Sequence, residues 1–328
     1  MKREVPEDGP EFEAMMREID RAMAEKDIPI TARPLSAGRE IWHRYKIAFP
    51  ITDPGPNDPE LSPYWPLSQK VDAWFKDTYG DLLNVNMSPG ATVIRIDGDL
   101  YQMTVPRFWG RGEFIASRRF FETENNINRG FLANILQSLD SLSEPKAQMI
   151  SEEAIRSVVE WHPIAVRAMY ILEATAERHD LVAEAQSDLK TAVVKLMERG
   201  DHYGSSKWAS LQVAEKCLKA AIDLHGGQYD WTHKLTGLGA DLAALGVQLG
   251  APQILDDIQC SPKIRYRKEP CSRMQALNAH HAVVHLVLDL VAAGAKFSDH
   301  VEMRRLSPVL YQAINRTPSR LGRAARSK

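Results

Sequence analysis

Between Ser205 and Leu224 the apolar residues Trp208, Leu211, Ala214, Leu218, Ala221 and Ile222 recur three and four positions apart. That period belongs to an α-helix with one continuous buried face, so the segment has to pack against other helices. Gly226-Gly227 stops it, because glycine readily takes the left-handed cap conformation. Upstream, Leu189, Val193 and Leu196 form a second stripe that ends at Gly200, and downstream Leu235, Leu238, Leu242, Leu245 and Leu249 form a third. The segment Ser272 to Ala293 is apolar on more than one face and is expected to be the most buried helix. These patterns predict an all-α, up-down helical bundle over residues 184–294. Glu215 and Lys219 are expected to pair on its solvent face, one turn apart.

Residues 1–180 read differently, as a mostly helical α+β domain with a small antiparallel sheet and no assigned role. Phe12, Met15, Met16, Ile19 and Met23 mark a first helix over Pro10 to Glu25. Further helices are expected over Ser36 to Ala48 and Leu67 to Tyr79, separated by a proline- and aspartate-rich loop. Residues 91–105 predict a β-hairpin: Ala91 to Ile96 alternates, Asp97-Gly98 favours a tight turn, and Leu100 to Val105 returns. A strand near Glu113 to Ala116 is expected to extend that sheet. Helices are then expected over Arg129 to Leu142 and from Ser151 to Glu177, with Ser151 as N-cap and an interruption or kink at Pro163. The domain boundary is placed at 178–184. Residues 295–328 read as a basic C-terminal tail, with seven Lys or Arg from Arg304 to Lys328 and no acid, mobile beyond Thr317.

Composition narrows the function classes. A formal net charge of -2 gives no global attraction to nucleic acid or lipid, so any such attraction must be local. The longest apolar run, Ala282 to Ala293, falls short of the roughly 20 residues that span a bilayer and contains His285 and Asp289, so no membrane partner is expected. The charged, proline-containing start Met1 to Pro10 is unlike an ordinary signal peptide. Cys217, Cys260 and Cys271 are odd in number and lack a C-x-x-C pair, which fits a reducing cytoplasm rather than a disulfide or zinc framework.

Several short motifs stand in one order along the bundle: Asp188-Leu189-Lys190, Glu198 through Tyr203, Ala214 through Ala220, Thr232-His233-Lys234-Leu235, and Arg265-Tyr266. In this arrangement the segment resembles the HEPN domain family. The resemblance implies a helical bundle that binds a nucleotide, RNA or a partner protein, forms a homodimer through the bundle, and in one branch acts as a metal-independent ribonuclease of the toxin and defence type.

Two sets of residues are candidates for these roles. Lys263, Arg265, Tyr266, Arg267 and Lys268 form a basic loop with one aromatic, able to hold phosphate and stack a base. The competing reading is a tyrosine packed on the bundle among solvated charges. The ribonuclease branch carries Arg, four to six residues, then His, and here Arg273 precedes His280 by that spacing. Seven positions are two helical turns, about 10.5 Å along the axis, so both side chains share a face. A histidine near neutral pKa could move a ribose proton while the arginine holds phosphate. Met274 departs from the polar residue that usually follows the arginine. The chain therefore carries three readings: a non-catalytic binding module first, then a ribonuclease using Arg273 and His280, then a structural dimerisation module.

No metal or cofactor is expected. His281 and His285 stand four apart without the H-E-x-x-H arrangement and read as packing residues. Asp97-Gly98-Asp99 has the carboxylate spacing of a nucleotidyltransferase magnesium site but is also the expected hairpin turn. Arg107, Trp109, Arg111, Arg118 and Arg119 interleave charge and aromatics, as a nucleic-acid surface or an ordinary solvated face would.

Overall fold

The computed structural model describes residues 5–55, 58–84, 87–126, 130–198, 200, 202–230 and 232–315. It divides into two compact units, Met1–Asn86 and Met87–Lys328. Among the described residues the first holds three α-helices, α1 (Gly9–Glu25), α2 (Arg33–Tyr45) and α3 (Trp65–Tyr79). The stripe Phe12, Met15, Met16, Ile19 and Met23 is buried as its spacing predicts, against Ala37 and Ile41 of α2 and Leu67, Val71 and Phe75 of α3. Arg33 donates to Asp20 at 3.0 Å and the Tyr79 hydroxyl donates to the same carboxylate at 2.6 Å, joining all three helices.

The second unit runs β1 (Ala91–Ile96), β2 (Asp99–Thr104), β3 (Gly110–Ile115), β4 (Glu124–Asn126), β5 (Gly130–Asn134), α4 (Glu144–Met149), α5 (Glu152–Ala176), α6 (Asp180–Met197), α7 (Tyr203–Leu224), α8 (Leu235–Ala244), α9 (Ile254–Ile258), α10 (Arg273–Ala292), β6 (Val301–Ser307) and β7 (Leu310–Asn315). The boundary expected at 178–184 lies instead at residue 86. The hairpin is the reason: Val93 of β1 and Leu100 of β2 share an apolar cluster with Val193 and Leu196 of α6 and Ala276 and Leu277 of α10. The hairpin belongs to the bundle. Asp97 and Gly98 hold positive φ at its turn, and the Asp97 carboxylate accepts from Ser151 N at 3.1 Å and Ser151 Oγ at 2.7 Å. Ser151 in turn caps α5, which runs unbroken through Pro163.

A second sheet departs from expectation. Its order is β4-β5-β3-β7-β6, with β3 parallel to β5 and antiparallel to β7. So β3 does not extend the hairpin. The helix expected over Arg129 to Leu142 is β5 followed by a 3₁₀ turn, Ile135–Ser138, because a short apolar run suits a parallel strand as well as a helix. Residues 301–315, expected as a tail, form β6 and β7, with Tyr311 and Ala313 buried beside Phe114. The expected mobility beyond Thr317 lies outside the described residues.

The bundle follows its period closely. The short connection after α6 returns the chain so that α7 packs on α6, and α10 lies against α7 and α5. Gly226 at φ +75° closes the end of α7 as predicted. Among the described residues no helix is long and apolar enough to cross a membrane.

Candidate nucleotide-binding loop

The basic residues sit on a short, well-anchored turn. Ser261 Oγ accepts from Lys263 N at 3.2 Å and starts a 3₁₀ helix, Pro262–Tyr266. Arg267 follows with φ 58°, a left-handed residue that turns the chain back, and Lys268 N donates to Lys263 O at 3.1 Å. Ile264 is the anchor, buried against α7 while its neighbours face outward. Gly204, in the first turn of α7, makes the approach possible. A Cβ there would lie 2.2 Å from the Ile264 carbonyl oxygen, so only glycine lets the turn sit this close.

This anchoring leaves Lys263, Arg265, Arg267 and Lys268 exposed, and Tyr266 65 % exposed. The Arg265 guanidinium lies 5.7 Å from the Tyr266 ring centroid. Among the described residues, none of the four cations has an ion-pair partner. The turn thus presents a concentration of unneutralised positive charge around one open aromatic face, the chemistry that holds phosphate and stacks a base.

Arg273 and His280 are not brought together on an accessible surface. Ser272 and Gln275 form a reciprocal cap at the start of α10, and Arg273 beside it is half-buried. His280 lies fully buried beneath β1. The Val93 N–H (3.1 Å) and the Thr92 hydroxyl (2.8 Å) reach its Nε2, which places the ring proton on Nδ1. Burial pushes its pKa down to about 3, so the ring is neutral at any ordinary pH, and at 0 % exposure it does not meet the surface. His281 bonds the Val93 carbonyl through Nε2 at 2.8 Å and lies against Trp161, which also meets His285.

The structure also shows a polar cluster that helical spacing misplaced. Glu215 and Lys219, expected on the solvent face, are 7 % and 4 % exposed. Glu215 Oε1 accepts from Lys219 at 2.7 Å, and Oε2 bonds His233 Nδ1 at 2.6 Å. Lys219 also lies 5.5 Å from the Tyr229 ring centroid. Lys216, its neighbour on α7, reaches Asp188 (2.7 Å) and Glu184 (3.0 Å) on α6. The cue available in the sequence was the order Glu215, Lys216, Lys219, then His233, whose meaning depends on helix neighbours that spacing does not specify.

The arginine-aromatic stretch is largely neutralised. Arg107 and Arg111 pair with Glu173 and Glu113, and Arg118 pairs with Glu152 at 2.8 Å while donating to the Ile150 carbonyl at 2.7 Å. Trp109 and Arg119 remain exposed there.

No curated protein and no solved structure matches the chain. Residues 179–267 match the family model described as HEPN domain. The match opens just before α6, takes in α7 and α8, and closes within the basic loop at Arg267. The helical region of this chain carries a HEPN domain.

Proposed function

We propose that this HEPN domain is a non-catalytic binder of nucleotide phosphate, with single-stranded RNA as its ligand and the turn from Lys263 to Lys268 as its contact. One observation carries the reading: on a turn anchored by Ile264, four exposed cations that have no ion-pair partner among the described residues flank the exposed Tyr266 in sequence, with Arg265 over its ring. Phosphates would meet the cations and a base would lie on Tyr266. The burial of His280 argues against cleavage, since a proton-transfer group has to reach the ribose.

The test is fluorescence anisotropy of a labelled single-stranded RNA with the full chain in chelator, followed by electrophoresis of the recovered RNA. Binding with the RNA intact is expected, and Arg265→Ala together with Arg267→Ala should weaken it. Equal affinity in that double variant overturns the assignment of the loop, and cleaved RNA overturns the non-catalytic role. Sedimentation of the same sample reports whether the bundle pairs, which would present two such turns on one particle.

A further inference from the structure

The N-terminal unit contains a cavity of about 380 Å³, within the size range of small-molecule sites. It lies between the outer face of α2, the loop after it and the first half of α3. Gly38 shapes its floor: a Cβ there would fall 2.7 Å from the Phe49 ring, so glycine lets that ring lie directly on the helix. Around the cavity Leu35 is 46 %, Trp42 50 % and Ile51 72 % exposed. Three large apolar side chains open to water around one hollow are an incentive for an apolar guest, since each Å² they bury is worth about 25 cal/mol.

The polar groups narrow the guest further. The Ser68 hydroxyl is already committed to the Pro50 carbonyl at 2.7 Å. Arg39 and Asp72 remain, one from α2 and one from α3, both exposed and both lining the cavity. Arg44, on the same helix as Arg39, is held by Glu18 and Glu40. Among the described residues neither Arg39 nor Asp72 has an ion-pair partner, and they do not pair with each other. A neutral apolar guest would leave both exposed charges to water, whereas a zwitterion meets each with its opposite. A simple anion would face Asp72 and a simple cation Arg39.

We propose that this cavity binds a free α-amino acid with a large apolar side chain. Its carboxylate meets Arg39, its ammonium meets Asp72, and its side chain lies between Trp42 and Phe49. The site is independent of the basic loop and does not rest on the RNA reading.

The experiment is calorimetric titration of the full chain with L-phenylalanine, phenethylamine (no carboxylate) and 3-phenylpropionate (no ammonium). Saturable binding of phenylalanine is expected, with each truncated analogue about two- to fivefold weaker, the worth of one exposed ion pair. Asp72→Asn should weaken phenylalanine by a similar factor while bringing it level with 3-phenylpropionate, and Arg39→Gln should do the same relative to phenethylamine. Both side chains are exposed, and circular dichroism checks that each variant folds. No heat with phenylalanine at either of two well-separated temperatures overturns the site, since apolar burial that is heatless at one of them is not so at the other. Analogues that bind as well as the amino acid, or variants with wild-type affinity, overturn the two-charge recognition.

Discussion

Removing two charges from the basic turn should change how salt weakens RNA binding, and by a predictable amount. Each phosphate neutralised on a single strand contributes about −0.7 to the slope of log K against log salt. Four exposed cations, Lys263, Arg265, Arg267 and Lys268, therefore set a limiting slope of about −2.8, if each meets one phosphate. Raising salt from about 50 to about 200 mM would then cost roughly fiftyfold in affinity. The Arg265→Ala, Arg267→Ala double variant keeps two cations, so its slope falls to about −1.4 and the same salt step costs about sevenfold. Tyr266→Ala separates charge from stacking. It should leave the slope unchanged and lower affinity at every salt by about 1–3 kcal/mol, the value of one base stacked on an aromatic ring. Anisotropy titrations at four or five salt concentrations measure both quantities. A double variant that keeps the wild-type slope would refute the argument, as would a Tyr266→Ala variant in which the slope moves instead of the intercept.

Other consequences follow from packing. Gly204→Ala forces the Ile264 carbonyl away from α7, so the variant should unfold at lower urea and bind RNA more weakly, although residue 204 carries no charge; unchanged binding would show that the turn is not held there. Glu215→Ala removes the carboxylate shared by the buried Lys219 and by His233, and should destabilise the fold by about 3–5 kcal/mol in urea melts, whereas Glu215→Gln should cost less because it keeps an acceptor. His162 and His280 are held neutral by burial with pKa values pushed down to about 3. The unfolded chain takes up their protons below about 6.5, so this stability is complete above that pH and is lost as pH falls towards 3, by roughly 2 kcal/mol each at pH 5. His280→Ala should therefore lower stability at neutral pH and flatten its pH dependence between about 7 and 5 by that amount, while leaving RNA intact and bound.

The helix periods and the basic turn were legible because both are local. Trp208 through Ile222 declare their shared face by spacing alone, and the run Lys263 to Lys268 is exposed because nothing apolar in it except Ile264 needs cover. What stayed hidden depends on partners distant in sequence. Residues 310–315 pair with 110–115, and no pattern within a segment this short announces a strand whose neighbour lies nearly 200 residues away. Spacing also fixes direction around a helix without fixing depth. Glu215 and Lys219 do lie one turn apart and do pair, but α7 is covered on most of its circumference, so their shared side is interior. The same limit explains Arg273 and His280. Two turns bring them to one face of α10, yet the first stands at the helix start beside its cap and the second lies under β1, where the Val93 N–H and the Thr92 hydroxyl claim its imidazole. A motif defined by spacing along one helix can therefore survive intact while the strand laid over it decides whether its histidine meets a substrate or a backbone amide. In this chain the hairpin at 91–105, by packing on α6 and α10, takes that histidine out of reach.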